Sequence, residues 1–409
     1  MGMNDMITLD DNDKIAYLEE LCEFIRIPSR STPEGGEEGP LQRLVAGKMK
    51  DLGARVRTFD PADIPGFLTH PLCSQPGRQY ADRPTVLAEI GPPDAPALLV
   101  LAHSDTVPLA KPGEWSFDPF GGEIRDGNIL GLGVSDDKWG TATLLTLLRV
   151  LAGSKKPLRK KIILASTVDE ENGVGNGLLL LTLAGVKAEG AIYLDGYQMN
   201  VLIGNLGGTF LLLRPRNPAG VRLNAGHADR LREGCRRLSG PRAGLFDGTF
   251  YKDNAVRGSS INLIEWGDAK GPCFNINFYT LPGEDKKSIC AELERMVKEA
   301  LGEELHDYEL DYRNIWFEPA LISPNLPHVQ CLAAAAEEAL KTKPAITTIS
   351  KQDAFVLTNH ARIPTVSFGP ASRVTGKGAF HNVDECLAVE EAWTGCQIAY
   401  NAVLKWLEI

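Results

Sequence analysis

Histidines and carboxylates gather in five short stretches of this chain, and those residue types suit metal-assisted or acid–base chemistry. The first is Ala102-His103-Ser104-Asp105-Thr106-Val107-Pro108, and the second is Gly131-Leu132-Gly133-Val134-Ser135-Asp136-Asp137-Lys138. The third, Asp169-Glu170-Glu171, follows the apolar run that begins at Lys161, and the fourth is Asp195-Gly196. The fifth is Phe380-His381-Asn382-Val383-Asp384-Glu385. A mixed imidazole and carboxylate set suits a borderline cation: zinc first, with manganese or cobalt also fitting. Without a cation, so many carboxylates in one dry cleft would repel one another. Two cations sharing one carboxylate would absorb that charge and could clamp a water between them.

Each stretch alone has an ordinary explanation. Asp136 or Asp137 could cap the helix that follows, and His103 could be a core histidine bonded to backbone. His381 has a rival in His360, while His70, His306 and His328 read as surface residues. What unites the five stretches is their place along the chain. Residues 85–90, 97–102, 161–168 and 191–194 read as strands, with helices at 139–151 and from 177. That alternation predicts an α/β fold with its sheet covered on both faces, and such sheets gather ligands at the carboxyl ends of their strands. The five stretches fall at those ends or in the loops beside them.

After about residue 205 the texture becomes α+β, with strands at 210–213, 260–265 and 274–279 and helices at 227–238 and 286–301. Beyond residue 319 the α/β pattern returns, with a helix at 329–341, a strand at 363–368 and a final helix at 389–407. The expected organisation is a discontinuous larger domain, 1–205 and 318–409, with a smaller one inserted at 206–317.

Composition narrows the partners. The 409 residues carry a formal net charge of -10, which argues against nucleic acid, and the basic clusters at 155–161 and 236–237 are short. Eight cysteines stand singly with no Cys-x-x-Cys pair, as expected of thiols in a reducing compartment. MGMNDMITLDDND has no signal-peptide pattern, and no apolar run approaches the roughly 18 residues of a membrane span. The expectation is a soluble, cytoplasmic protein. GPASRVTGKG lacks the spacing of a phosphate-binding loop, and no Gly-x-Ser-x-Gly elbow occurs.

Taken together, HSDTVP, WSFDPFGGEIRDGNILGLGVSDDKWG, TVDEENG, YLDG and FHNVDE resemble the M20 family of metallopeptidases and amidohydrolases, which includes acetylornithine deacetylase, carboxypeptidase G2 and aminoacylase. The resemblance implies a catalytic domain like that of zinc aminopeptidases, with an inserted lid that makes a homodimer contact. It implies two divalent metal ions: one held by His103 and Asp195, the other by Glu171 and His381, with Asp136 bridging. Asp105 would orient the His103 imidazole, and Glu170 would be the general base. In GHADRLREGCRRL, His227 matches a lid histidine that acts on the oxyanion in the partner subunit's site.

The chain departs from the family at NFYTLPG. Asn277 and Tyr279 stand where Asp-x-Arg is common, and that arginine often pairs with a substrate carboxylate. Gly131-Leu132-Gly133 replaces Gly-Arg-Gly, and Trp139 follows Lys138 where glycine is usual. The activity implied is metal-dependent hydrolysis of an amide in a small N-acyl amino acid or peptide-like molecule. The alternatives are an aminohydrolase acting on an unusual amine or aromatic C–N bond, and a non-catalytic member of the fold.

Overall fold

An uninterrupted apolar run that ends in histidine forms the centre of the main sheet. Ala97–His103 is buried at every residue and lies between Lys161–Thr167 and Gly190–Tyr193, parallel to both. A strand with neighbours on both sides and no solvent-facing surface needs no polar alternation. Thr85–Ile90 continues the sheet antiparallel to Lys161–Thr167, and Arg55–Phe59 forms the edge beyond it. On the other side Thr365–Ser367 runs parallel to Gly190–Tyr193, and Val201–Asn205 pairs antiparallel with it through Leu202 and Ser367. The helices Asp11–Ile25, Gly39–Asp51, Trp139–Gly153, Pro327–Leu340 and Val389–Leu407 share one apolar core with these strands.

The computed structural model describes residues 9–75, 77–154, 156–217, 223–252, 254, 256–268, 271–312, 315–371 and 377–409. Lys155 of the basic cluster and residues 372–376 of GPASRVTGKG lie outside them. The chain divides into two compact units. The first is Met1–Ile203, Ile322–Ile346 and Val356–Ile409; the second is Gly204–Leu321 and Thr347–Phe355. The short Thr347–Phe355 segment, which carries no compositional signal of its own, differs from the expected boundaries by grouping with the second unit.

That second unit has a four-stranded antiparallel sheet in the order Ile261–Asp268, Gly271–Thr280, Gly207–Pro215, Tyr308–Asp311. The helices Ala225–Arg242 and Lys286–Leu301 bury Leu231, Leu293 and Val297 in one cluster with Leu211, Phe274 and Ile276 of the strands. Each helix begins at a side-chain cap, Asn224 and Asp285 respectively.

A three-stranded ribbon in the first unit bears on the site. Cys386–Ala388 pairs with Asn128–Leu130, which pairs with Glu123–Arg125. It ties the loop carrying His381 to the one carrying Asp136. Among the described residues, no helix is long and apolar enough to cross a membrane, and no disulfide is present.

Candidate metal centre

His103 closes its strand fully buried, and its main-chain N–H donates to Asp137 Oδ2 at 3.2 Å. Its Nδ1 lies 3.0 Å from the main-chain carbonyl of Asp105. A proton placed on Nδ1 leaves the Nε2 lone pair directed at Asp136 Oδ1, 2.9 Å away. The Asp105 carboxylate, expected to orient this ring, is 3.7 Å from Nδ1. Its oxygens instead accept from the backbone N–H groups of Glu170 and Glu171, both at 3.1 Å. The main chain of Asp105 therefore orients the imidazole, while its side chain holds the glutamate doublet.

That doublet needs a break in the strand, because adjacent residues on a regular strand face opposite ways. The strand stops at Thr167, and Asp169 turns the chain with a φ of 65°. Asp169 Oδ1 accepts from Ser31 Oγ at 3.1 Å, from Arg83 Nη2 at 2.7 Å and from Arg78; its Oδ2 accepts from Asn176 Nδ2 at 2.7 Å. Arg83 also pairs with buried Glu38. Two guanidiniums thus face two carboxylates in a dry, charge-balanced cluster behind the turn, the condition under which buried ions are tolerated. Burial works against ionised Asp169, but the two arginines and Asn176 hold its carboxyl below the usual range. The sequence carries no local signal for Arg78 or Arg83 as partners of this turn.

Asp136 comes from the loop before the Trp139–Gly153 helix, and Glu385 holds that loop. Its Oε2 accepts from Gly133 N at 3.0 Å, and its Oε1 from Ser135 N at 3.0 Å and Ser135 Oγ at 2.8 Å. Lys138, buried at the end of the same loop, donates to the carbonyls of Phe24 and Ile27, both at 2.9 Å. Burial first moves both groups toward neutrality, Glu385 up to about 7 and Lys138 down to about 7. Gly140 lets the helix approach: a Cβ there would meet Ala102 Cβ and Leu194 Cβ, each at 2.9 Å. Those neighbours adjoin His103 and Asp195, so the close approach brings Asp136 to the strand ends.

Two groups of donor atoms result, each within 4.8 Å: His103, Asp136 and Asp195, and Asp136, Glu171 and His381. His381, on its loop at a φ of 59°, directs Nε2 at Asp136 Oδ2, 3.0 Å away, and at Glu171 Oε1, 2.9 Å away. One Asp136 oxygen thus serves each imidazole. Burial opposes a charged His103, but the hydrogen bond and charge of Asp136, with the charges of Asp105 and Glu170, hold it well above its usual pKa. The His381 side chain is 41% exposed, and although desolvation opposes its charge, Glu171 and Asp136 hold it well above its usual pKa. Burial pushes Glu171 up to about 7. Asp136, despite its burial, is held well down by both histidines. Imidazole nitrogens facing carboxylate oxygens need a proton or a cation between them, and this mixed set fits divalent metal ions.

His227 is not among the clustered residues. It lies in the second unit with its ring buried, Nδ1 2.7 Å from the Tyr308 hydroxyl and Nε2 3.4 Å from Glu304 Oε2. His360, the rival of His381, is exposed. His328, expected at the surface, is only 2% exposed. Its ring lies so close over Gly190 that a Cβ there would meet Nδ1 at 2.3 Å. A helix start next to proline gave no periodicity that could mark it as buried.

Residues 99–405 match the profile of peptidase family M20/M25/M40. A succinyl-diaminopimelate desuccinylase of Methylobacterium sp. (strain 4-46) is 29% identical over 391 residues, spanning 90% of each chain. Among solved structures, human carnosine dipeptidase 1 superposes with a TM-score of 0.73 at 14% identity, covering 98% of each chain. A di-peptidase from Saccharomyces cerevisiae gives 0.73 at 15% identity, covering 98% of this chain and 97% of the other. All five stretches that carry the histidines and carboxylates lie within the matched region. With the profile matching three quarters of its length, the chain belongs to peptidase family M20/M25/M40 and is a hydrolytic enzyme of mixed α/β fold.

Proposed function

We propose that this enzyme hydrolyses the amide bond of a small N-acyl amino acid or peptide-like substrate, with two divalent cations resident at the paired donor groups. His103 and Asp195 would hold one, Glu171 and His381 the other, and Asp136 both. Zinc suits the donors best, with manganese or cobalt as substitutes. When bound, the cations would supply Lewis-acid charge at the scissile carbonyl and lower the pKa of an attacking water. Glu170 takes the proton from that water as its oxygen bonds to the carbonyl carbon, and passes it to the nitrogen as the C–N bond breaks. The products are a carboxylate and an amine.

The observation that carries this reading is Asp136, with one oxygen to each imidazole. The desuccinylase relative, aligned over 90% of this chain, supports an N-acyl amine as substrate. Chelator-treated protein should lose amide hydrolysis and regain it with zinc, manganese or cobalt. Full turnover by demonstrably metal-free protein would falsify the reading. A screen of N-acyl amino acids and dipeptides beside arylamines should release carboxylate and amine; ammonia release from the arylamines would favour an aminohydrolase instead. A homodimer formed through the second unit, with His227 serving the other copy's site, belongs to the same reading and has its own test below.

A further inference from the structure

Two tandem acids follow His381 in the fifth stretch, and they reach in different directions. Glu385 holds the loop that carries Asp136. Asp384 turns the chain at a φ of 60° and reaches instead to Ser116, near the start of WSFDPF. Its Oδ1 accepts from Ser116 N and its Oδ2 from Ser116 Oγ, each at 2.7 Å. Lys377 Nζ lies 2.6 Å from Oδ2, but that side chain is 67% exposed, so water screens the ion pair. Both bonds to Ser116 end on a carboxylate that is only 7% exposed, and hydrogen bonds to a charged acceptor are the stronger kind.

Both ends of this clasp are built to transmit position. The His381 loop is closed on itself: Gly378 N donates to the Val383 carbonyl at 2.9 Å, and Cys386 N to the Gly378 carbonyl at 3.2 Å. On the other side, Trp115 Nε1 donates to the Ala110 carbonyl at 2.8 Å, and Leu132 N to the Pro119 carbonyl at 2.9 Å. The last of these bonds joins the WSFDPF stretch to the loop that carries Asp136. The two imidazoles differ in their support. His103 ends a strand and is fully buried, whereas His381 has an exposed side chain and sits on a loop at positive φ. Core packing fixes the first ring; hydrogen bonds between loops must fix the second.

We propose that Asp384 is a positioning residue for His381, acting through its paired hydrogen bonds to Ser116. The clasp holds the His381 loop against the Asp136 loop. It thereby sets the separation of His381 Nε2 from Asp136 Oδ2 and Glu171 Oε1, 3.0 and 2.9 Å. A cation held by these donors loses affinity when one of them is free to drift. His103 and Asp195 stand at or just beyond the ends of buried strands and do not depend on the clasp. The inference rests on the two-cation reading and adds to it the contact that gives the Glu171–His381 position its affinity.

The test is equilibrium dialysis of the full chain against buffered free zinc, with zinc per chain read by elemental analysis. The wild type should take up two ions. Asp384→Gly removes the carboxylate without backbone strain, since glycine accepts the positive φ. It should weaken one ion by roughly 10–100-fold, the usual cost of losing a group that orients a metal ligand, and leave the other unchanged. A variant that merely loosened the fold would weaken both. Asp384→Asn ends the pairing with Lys377 but keeps both bonds to Ser116, the amide oxygen accepting from N–H and the amide nitrogen donating to Oγ. It should bind both ions as the wild type does. Unchanged binding in Asp384→Gly, equal weakening of both ions, or Asp384→Asn as weak as Asp384→Gly would each overturn the proposal and leave the two-cation reading intact. A wild type that takes up only one ion would overturn that reading and the proposal with it.

Discussion

Glu170 and Glu171 are neighbours with separate surroundings, and that difference can be measured. Glu171 shares the His381 imidazole and belongs to a donor group; Glu170 is outside both groups, though its charge still bears on His103. Glu170→Gln should lower kcat by about 10²–10⁴-fold, the usual contribution of a general base, with metal content unchanged. Glu171→Ala should lose metal as well as turnover. Elemental analysis beside kcat on the same samples distinguishes the two. If Glu170→Gln lost metal too, the division of labour within the doublet would be wrong. Asp169, the third acid of the stretch, faces away into Arg78 and Arg83, so its charge sets the turn rather than the chemistry.

At the scale of elements, the sequence was most legible where composition and position coincide. The helices Lys286–Leu301 and Val389–Leu407 and the strand Thr85–Ile90 lie at their expected bounds, because each is a long periodic or continuously apolar run. The site stretches were legible because their polar residues sit where apolar strands stop. Illegible were contacts made across long separations: Arg83 to Asp169, Glu385 to Ser135, and Lys351 to Asn277, 74 residues apart. The missing arginine at Tyr279 could be read from the chain; the Lys351 ammonium lying against that ring could not.

The burial of His328 is illegible in the sequence for a related reason, and it has a consequence. Desolvation lowers its pKa from 6.5 to about 4, with a hydrogen bond to the Pro364 backbone opposing only in part. The folded state therefore binds fewer protons than the unfolded one between pH 6.5 and 4. The stability of the neutral form is complete above the unfolded pKa and falls as pH drops through that window, by at most about 3 kcal/mol. Urea midpoints of the wild type and His328→Phe should diverge in pH dependence across it, the variant having the flatter slope. Parallel slopes would mean that the ring is solvated or already charged.

For the whole molecule, the open question is whether one copy suffices. The donor groups and Glu170 all belong to the first unit, and His227 belongs to the second. Tyr308 fixes Nδ1 of His227, and among the described residues Nε2 has no hydrogen-bond partner, with Glu304 Oε2 3.4 Å away. The ring is thus oriented, and Nε2 is its nitrogen with hydrogen-bonding capacity to spare. For it to serve another copy's site, Glu304 must move aside. Glu170→Gln and His227→Ala should each be inactive alone. If the protein pairs two-fold through the second unit as proposed, chains unfolded, mixed and refolded together would set an intact Glu170 on one against an intact His227 on the other. One site in each mixed pair then works, so random pairing should restore about a quarter of wild-type activity. Sedimentation of the same mixture should show the dimer. Full activity in His227→Ala alone would remove the histidine from the mechanism. A dimer with no recovered activity would confine each site to residues of its own chain.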